Sequence, residues 1–359
     1  MINYLLNKFF YALLTLFGVV TVIFLLFNVL PGDPAQMMLG QNEDSKQLAI
    51  VKQKYGFDKP LSTQYLYYLN DLSPISLHST RIFGHYTSLG TGKYNAYKLF
   101  SSGKIAVVLK TPYLRESFAK QGKKVTQVIS ETLPNTFVLA VSAIILAIII
   151  GIILGIISAL FKDKWLDKLI QVLSTLGMSL PSFFSAILFA WLFGFVLHKY
   201  TNLEMTGSLY ELDDYGETVN IRWKNLILPA IVLGIRPLAV VIQLMRNSLL
   251  EVLNQDYIRT ARAKGLSEYH IIKHHAFKNA LNPVVTAISG WFASMLAGAV
   301  FVEYIFGWNG LGKEIVNALN TLDLPVIMGA VLVIALVFII INILVDIMYV
   351  YLDPKVKLQ

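Results

Sequence analysis

The chain contains six apolar blocks, and their length limits the folds that it can adopt. A helix needs about 20 mainly apolar residues to cross roughly 30 Å of hydrocarbon. Only 14% of all residues are charged and 55% are hydrophobic, which is unlike a soluble domain. The sequence therefore predicts an all-α polytopic membrane protein with about six transmembrane helices. Pro134 and Pro181 are expected to start or kink helices. The blocks cover approximately residues 9–30, 136–161, 169–197, 226–244, 284–302 and 326–350.

The first block has one alternative interpretation, a cleaved signal peptide, because Lys8 precedes an apolar run. A signal core is shorter, and it is followed by a small-x-small cleavage site. This block ends instead in Asn28-Val29-Leu30-Pro31-Gly32-Asp33-Pro34. We therefore expect a retained membrane span.

Lysine and arginine in the short loops predict the orientation of the spans. Six spans place both termini on one side, and short cytoplasmic loops carry the excess of basic residues. The segments 1–8, 162–168, 246–278 and 355–357 together hold twelve Lys and Arg, whereas the opposite short loops hold four. Both termini are therefore predicted to be cytoplasmic.

The basic charge balance does not indicate a nucleic-acid partner. The formal net charge is +8, but the basic residues are spread over loops on both sides of the membrane. The chain has no cysteine, so it forms neither disulfides nor thiolate metal sites. We expect this chain to bind no nucleic acid, no metal and no cofactor.

The segment 31–130 separates the first two blocks and is long for a connection without secondary structure. We expect an extracytoplasmic subdomain there, with a disordered tether as the alternative. Residues 1–130 would then be an N-terminal region, 131–352 a core of five spans, and 353–359 a cytoplasmic tail. Short strands or helices are predicted within the subdomain because it contains the turn signals Asp71-Leu72-Ser73-Pro74, Gly84, Gly90, Gly92 and Gly103.

The polar stretch 256–283, between the fourth and fifth blocks, predicts two short helices. Residues 256–264 are rich in helix formers, and Gly265 suits a left-handed helix end. Ser267 followed by Glu268 is typical of a helix cap with an acid in the first turn. Such a loop can lie under the membrane and present a knob. The alternative is a plain connector, which would need fewer residues.

Short phrases along most of the chain resemble one family of membrane proteins. The stretch Arg259-Thr260-Ala261-Arg262-Ala263-Lys264-Gly265 looks like its form of a general importer motif. Together with the other phrases, it identifies the chain as similar to permease subunits of bacterial ABC importers of the oligopeptide/dipeptide (peptide/nickel) transport family. The other phrases are Pro31-Gly32-Asp33-Pro34, Glu131-Thr132-Leu133-Pro134-Asn135-Thr136, Ser179-Leu180-Pro181-Ser182, Leu228-Pro229-Ala230, Glu303-Tyr304-Ile305-Phe306, Asp323-Leu324-Pro325 and Asp353-Pro354.

This resemblance implies an ABC importer type I permease fold in the bacterial plasma (inner) membrane. Such a subunit is not an enzyme, and this chain has no Gly-x4-Gly-Lys-Ser/Thr phosphate loop. ATP and Mg would be used by a partner ABC ATPase. The resemblance also implies a second homologous permease chain, an extracytoplasmic solute-binding protein and surrounding membrane lipid. The predicted ATPase-coupling residues are Tyr257, Arg259, Ala261, Arg262 and Gly265, with close approach as the role of the small residues and ion pairing as that of the arginines.

One family phrase is not found. Relatives usually carry Gly-Asp-Leu-Gly-x-Ser in the first external loop, and this loop is instead longer than usual and basic. Contacts that relatives make there are therefore not transferred to this chain.

Polar residues within the blocks mark possible pathway positions. Arg236, beside Pro237, is the strongest candidate, because an arginine near a helix centre costs about 2.5 to 3.5 kcal/mol on insertion scales. Alternatively, the Arg236 side chain can snorkel, with its charged end extended toward the membrane surface. Asn342 is placed deeply enough to bond a neighbouring helix. Gly151 and Gly155 have the spacing of close helix packing.

Three histidines, His270, His274 and His275, invite a metal interpretation, since 270 and 274 are spaced i,i+4. Their predicted cytoplasmic position is away from the side where cargo is captured, so an interface role is favoured.

Two other function classes remain as alternatives. An ion-coupled secondary transporter is expected to show buried acids and repeated spans, and a non-transporting membrane scaffold leaves the loop 256–283 unexplained. The cargo is open among peptides, nickel complexes and other solutes.

Overall fold

The computed structural model describes residues 2–29, 35–36, 45–80, 86–89, 93–120, 122–213 and 217–352. The expected features at Pro31-Gly32-Asp33-Pro34, Gly84, Gly90, Gly92 and the tail 353–359 lie outside these residues. The chain divides into two compact units. The core unit comprises Met1–Phe10, Thr132–Val316 and Leu336–Gln359, and the insertion unit comprises Tyr11–Glu131 and Asn317–Ala335.

Helices dominate the described part of the chain. In chain order they are α1 (Ile2–Val29), α2 (Ser45–Tyr55), α3 (Leu61–Leu72), α4 (Val125–Leu160), α5 (Trp165–Ser179), α6 (Ser182–Phe189), α7 (His198–Thr201), α8 (Lys224–Leu253), α9 (Asp256–Ala263), α10 (Glu268–Ile271), α11 (Phe277–Ala280), α12 (Asn282–Gly298), α13 (Val300–Phe306), α14 (Leu311–Asn320) and α15 (Leu324–Leu352). Two π-helical segments, Ala190–Val196 and Ile272–Ala276, adjoin α6 and α10.

The long apolar helices agree with the prediction of about six spans. Within the described residues, four helices, α1, α4, α8 and α15, are long and apolar enough to cross a membrane. Two bent helix pairs bring the number of candidate spans to six. Pro134 does not start a helix, because α4 already begins at Val125.

The third block is not one straight helix. Its two halves, Trp165–Ser179 and Ser182–Val196, meet at an angle of 111°. The break falls at Leu180, which is extended (φ −75°, ψ 132°), and at Pro181, which precedes the first residue of α6. Proline has no N–H to donate, and it drives the preceding residue out of the helical region. The prediction that Pro181 starts or kinks a helix is therefore confirmed, but the block itself is divided into two helical halves.

Close packing between α4 and α8 holds the middle of the core unit together. A Cβ added at Gly151 would lie 2.6 Å from Val241 Cγ1, and one added at Gly155 would lie 2.7 Å from Met245 Cβ. These distances are shorter than side-chain contacts allow, so only glycine fits. The predicted close packing at Gly151 and Gly155 is confirmed.

The insertion unit contains a small sheet in addition to helices. Its strands are β1 (Ile75–Ser79), β2 (Ala96–Ser102) and β3 (Ile105–Lys110), which pair antiparallel in the order β1-β3-β2. Gly103 has φ 58° at the turn between β2 and β3, as expected for a turn signal. The core unit has a two-stranded sheet of its own, β4 (Tyr210–Leu212) and β5 (Val219–Ile221).

A fully buried carboxylate, Asp71, organises the insertion unit. It accepts hydrogen bonds from the hydroxyls of Tyr86 (2.6 Å) and Tyr94 (2.8 Å) and from Nε of Arg115 (3.1 Å). The ammonium group of Lys110 donates to the Asp71 carbonyl. A buried charge is stable only when it is paired and hydrogen-bonded, and this network meets that requirement.

Candidate functional site: the loop between the fourth and fifth spans

The loop that follows α8 has the two-helix form that its sequence predicts. The first helix, α9, ends near Gly265, whose φ of +77° lies in the left-handed region. The Ser267 hydroxyl caps α10 by accepting a hydrogen bond from the backbone N–H of His270 at 3.4 Å. Both local predictions are confirmed. The second helix is less regular than expected, since the π-helical segment Ile272–Ala276 interrupts it.

One face of this loop is buried against the core unit. Ile258 and Ala261 of α9 and Ile271 of α10 pack in one hydrophobic cluster with Met245 and Leu249 of α8. Ile258 and Ile271 are completely buried, and burying an isoleucine side chain contributes about 1.5 to 3 kcal/mol. The loop is therefore a packed extension of α8.

An ion pair closes the turn between α9 and α10. Arg262 donates from Nε to Glu268 Oε1 at 2.8 Å and from Nη2 to Oε2 at 3.3 Å. The carboxylate beside it raises the pKa of Arg262, and hydrogen bonding from Arg262 lowers the pKa of Glu268. Both side chains are partly exposed, so the pair orients the turn more than it stabilises the fold.

The predicted coupling residues fall into two groups. Tyr257, Arg259, Arg262 and Gly265 are exposed, whereas Ala261 is 6% exposed and faces the internal cluster. The Tyr257 hydroxyl accepts a hydrogen bond at 2.9 Å from Asn279, and Arg259 lies 3.4 Å from Asp256. A Cβ added at Gly265 would meet no atom within 4 Å. The small size of Ala261 thus serves packing within this chain, and the open space lies at Gly265.

The exposed surface at the tip of the loop includes residues outside the family motif. All nine residues from Arg262 to His270 are exposed, including Leu266 (36%) and Tyr269 (72%). We term residues 262–270 the knob. Sequence reasoning did not single out Leu266 or Tyr269, although an apolar and an aromatic residue beside a helix stop are a signal of a contact surface.

The three histidines form no metal centre with other residues. The rings of His270 and His274 stack with centroids 4.2 Å apart, and Nδ1 of His274 lies 3.3 Å from the His270 carbonyl oxygen. Across the described ranges, no group of three or more His, Cys, Asp or Glu side chains is placed to hold a metal ion.

A buried ion pair lies on α8 above the loop, and sequence reasoning missed it. Arg246 donates from Nε and Nη2 to the two oxygens of Asp167 at 2.7 and 2.6 Å. Asp167 is 3% exposed and also accepts hydrogen bonds from the Ser158 hydroxyl and the Asp163 backbone N–H, at 2.5 and 2.9 Å. The pair therefore joins α8 to the start of α5 and the end of α4. Arg246 was predicted only as one of many cytoplasmic charges.

The two possible pathway residues lie in different settings. Arg236 is exposed and lines a cleft with Gly177, Leu180 and Trp291. Its Nη2 donates to the Leu180 carbonyl at 3.4 Å, and it pairs with no acidic side chain in the part of the chain that the structure describes. Asn342, on α15, is half-buried, and its side chain makes no hydrogen bond within the described residues.

Two of the family-like phrases meet in space at the end of the fifth block. Glu303 is fully buried, and its carboxylate accepts a hydrogen bond from the Gly312 backbone N–H at 2.7 Å. The Trp308 indole donates to the Asn135 carbonyl at 3.0 Å, and the Asn135 amide donates to the Asn309 carbonyl at 2.7 Å. Glu303 therefore supplies a hydrogen-bond acceptor for the backbone N–H groups at the start of α14.

The missing family phrase has a partial counterpart. Leu114-Arg115-Glu116-Ser117 places leucine and serine at the spacing of Leu-Gly-x-Ser, and Arg115 has φ +68°. A residue with positive φ is where glycine is normally favoured. Ser117 is buried and donates to Asp323, which belongs to the phrase before the last span. The full phrase is absent from the sequence, as stated above.

Comparisons with known proteins agree with this structure. The profile described as "Binding-protein-dependent transport system inner membrane component" matches residues 151–358, and a profile for the N-terminal part of such membrane components matches residues 1–91. A solved structure of the MetNI methionine ABC transporter in inward-facing conformations is similar, with a TM-score of 0.51 at 14% identity over 64% of this chain and 98% of that chain. At this identity the likeness shows the fold alone.

Curated relatives match nearly the whole chain. The dipeptide transport system permease protein DppB of Alkalihalophilus pseudofirmus is 32% identical over 99% of this chain and 100% of its own length. The di/tripeptide transport system permease protein DppB of Pseudomonas aeruginosa is 31% identical over 96% of each chain. The glutathione transport system permease protein GsiC of Salmonella typhimurium is 30% identical over 99% of each. This chain therefore belongs to the binding-protein-dependent transport system inner membrane component family, with the type I permease fold, and it is a non-catalytic permease subunit of an ABC importer.

Proposed function

We propose that this chain forms half of a translocation path for short peptides and that the loop 256–283 couples it to a separate ATPase. The observation that carries the proposal is the knob. It is a continuous exposed surface, ordered by the left-handed turn at Gly265, on a loop whose opposite face is buried against α8.

Movement at the knob can reach the spans through packed contacts. The buried cluster connects α9 and α10 to Met245 and Leu249 on α8. On the same turn of α8, Arg246 ties this helix to Asp167 on α5. A rigid contact that moves the loop would therefore move at least these helices together, which is the requirement for rocking the spans in alternating access. In this proposal ATP and Mg are used by the partner ATPase.

Two residues in the core unit support a second permease chain. Arg236 lines a cleft without an acidic partner among the described residues, and Asn342 leaves its amide without a hydrogen bond there. Polar groups within spans usually face a pathway or a neighbouring helix. We propose that a second homologous chain supplies that neighbour. The proposal also keeps both termini, and with them the knob, on the cytoplasmic side.

The insertion unit offers a surface for the solute-binding protein. One face of its sheet exposes aromatic and aliphatic side chains on all three strands, and large exposed apolar patches mark interaction sites. Short peptides are the proposed cargo, because the relatives named above are assigned to dipeptides, di/tripeptides and glutathione. The exposed residues of the sheet are Ile75, Leu77, Tyr97, Phe100, Ile105 and Leu109.

Uptake by proteoliposomes tests this function. The chain and the subunits that co-purify with it are reconstituted, and entry of labelled dipeptides is measured with and without the ATPase subunit and ATP. We expect uptake only when ATPase, ATP and binding protein are all present. Uptake that persists without an ATPase would favour an ion-coupled secondary transporter, and co-purification with an ATPase without any uptake would favour a scaffold.

A further inference from the structure

A cleft in the core unit is lined by hydrogen-bond donors that lack an acceptor. Arg236 of α8, Ser185 of α6 and Trp291 of α12 all line it. Ser185 is 3% exposed, yet its hydroxyl makes no hydrogen bond to a described residue, and neither does the indole N–H of Trp291. Buried polar groups in native proteins nearly always have a partner. The unpartnered hydroxyl therefore indicates that a ligand or water completes this cleft.

The guanidinium group of Arg236 is the strongest of these donors, and most of it is free. Its one hydrogen bond to a described residue runs from Nη2 to the Leu180 carbonyl at 3.4 Å, which is long. None of the described lining residues is acidic. The carboxylates buried in the described part of the core unit are bound elsewhere, Asp167 by Arg246 and Glu303 by backbone N–H groups. An arginine fork of this kind matches a carboxylate, which it binds through two parallel N–H donors.

The start of α6 adds backbone donors to the same cleft. Leu180 and Ser182, on either side of Pro181, both line it. No side chain caps α6, so the N–H groups of its first turn are free and the positive end of its dipole lies at the break. Helix starts of this kind bind anions. Within the hydrocarbon region, free backbone groups are tolerated where they line a water-filled cavity, so we expect the cleft to open on an aqueous path.

The cleft lies near the middle of a candidate span. The helix α8 has 30 residues, and at 1.5 Å per residue Arg236 is about 18 Å from its start and about 25 Å from its end. A charged side chain at such a depth is expensive unless it faces a pathway or a partner. The position of Arg236 therefore favours contact with cargo.

The size of the cleft and one backbone acceptor favour the end of a peptide. The space open to the centres of water-sized groups is about 90 Å³, and one water needs about 10 to 15 Å³. A carboxylate and the adjoining amide fit there, while the rest of a peptide would lie in the open path. Pro237 has no N–H, so the Leu233 carbonyl beside the cleft lacks its usual helical donor and can accept from a peptide amide.

We propose that Arg236 and the start of α6 bind the C-terminal carboxylate of a peptide during translocation, with Ser185 donating a further hydrogen bond. This inference rests on the proposed function and names the group of the cargo that the path recognises. The second permease chain would face the cleft across the path, and the carboxylate would lie between the two chains. Every linear peptide carries this carboxylate whatever its side chains, so the site would accept many sequences.

Equilibrium dialysis against the intact complex measures this recognition. The chain and its co-purifying subunits, without the solute-binding protein, are placed in phosphatidylcholine nanodiscs and dialysed against labelled alanylalanine or its C-terminal amide. We expect the wild type to bind the acid about tenfold more tightly than the amide, as for the loss of a hydrogen-bonded charge pair. Arg236→Gln should bind both alike. Arg236→Lys should keep part of the preference, since it retains the charge without the planar fork.

Two further variants separate recognition from a structural effect. Ser185→Ala removes one hydroxyl from a helix and should also reduce the preference for the acid. Arg222→Gln makes the same arginine substitution outside the cleft, at an exposed side chain, and should keep the wild-type preference.

The proposal is overturned if the wild type shows no binding or no preference for the acid, if Arg236→Gln keeps the preference, or if phosphatidylglycerol in the nanodiscs displaces the peptide. ATP-driven uptake of alanylalanine by wild-type proteoliposomes tests the proposed function separately. Uptake without the preference would refute this inference alone, whereas the preference without uptake would refute the transport function alone.

Discussion

Arg262 and Glu268 form a two-point ion pair, with N–O distances of 2.8 and 3.3 Å, across the left-handed turn at Gly265. The two residues lie at the two ends of the exposed turn between α9 and α10. Their pairing fixes the orientation of the tip of the loop, which includes Leu266. The local geometry of the coupling surface therefore depends on an interaction within this chain, and this dependence leads to the first prediction.

Glu268→Gln should loosen the turn with a small effect on stability. The pair is partly exposed, so it contributes at most about 0.5 kcal/mol. Because Arg262 holds the pKa of Glu268 below its ordinary value of 4.5, this contribution is complete above pH 4.5 and is lost as the pH falls through the folded-state pKa. The melting-temperature difference between wild type and variant should therefore be present at pH 7 and shrink in acid. Glu251→Gln, at an exposed position without a described ion pair, is the control, and an equal difference at every pH would contradict the assignment.

Asp167→Asn should be strongly destabilising. It leaves the Arg246 guanidinium without its charged partner at a position where Asp167 is 3% exposed, and breaking a buried ion pair costs about 3 to 5 kcal/mol. Thermal unfolding of the purified chain measures this loss. Asp256→Asn, whose side chain is 96% exposed, should leave the melting temperature unchanged. Equal melting temperatures for both variants would show that the buried pair is not holding α5 to α8.

The same glycine-to-alanine change should have opposite effects in two helices. At Gly155 the added methyl group would lie 2.7 Å from Met245 Cβ and 3.0 Å from the Ile242 carbonyl oxygen, and such overpacking costs about 1 to 3 kcal/mol. At Gly18 no atom lies within 4 Å, so the higher helix propensity of alanine should stabilise by up to about 1 kcal/mol. The free energies of unfolding of the two variants, measured under the same conditions, test both predictions. A stabilised Gly155→Ala variant would contradict the close packing of α4 on α8.

Arg115→Gly should destabilise the chain even though glycine suits the backbone. Relief of the left-handed conformation at Arg115 (φ +68°) is worth about 1 to 2 kcal/mol. The loss of the charged partner of the fully buried Asp71 costs about 3 to 5 kcal/mol, and this effect is larger. Asn202→Gly, at φ +53° without a buried charge, should change stability little. Limited proteolysis of the insertion unit reports the difference, and protection equal to the wild type would show that Arg115 is dispensable.

The sequence predicted the features that depend on neighbouring residues. Four of the six apolar blocks became long helices in the described part of the chain. Gly265 and Ser267 end and begin helices as their residue types require. The glycine pair Gly151 and Gly155 packs closely, because a helix brings positions four residues apart to one face. Each of these features is encoded within one or two helical turns.

The features that the sequence did not predict depend on distant partners. Arg246 and Asp167 are 79 positions apart, and Asn135 and Asn309 are 174 apart, so no local pattern indicates their pairing. Ala261 stands at a position of the family motif, but it is buried because it packs against α8. The break of the third block at Pro181 was expected as a kink, whereas its 111° angle depends on tertiary packing.

Substitution at Gly265 tests the central claim most directly. A side chain there would meet no atom of this chain within 4 Å, but the φ of +77° strains any residue other than glycine. The effect of a partner that occupies the space is therefore the difference between a large and a small side chain at this position. Asn tolerates the left-handed conformation, and Gly265→Asn therefore serves as the small-residue control beside Gly265→Arg. We expect Gly265→Arg to insert and fold normally, to lose co-purifying ATPase and to lose ATP-driven peptide uptake, while Gly265→Asn retains a large part of both. Full ATPase binding and full uptake by Gly265→Arg would contradict the coupling role of this loop.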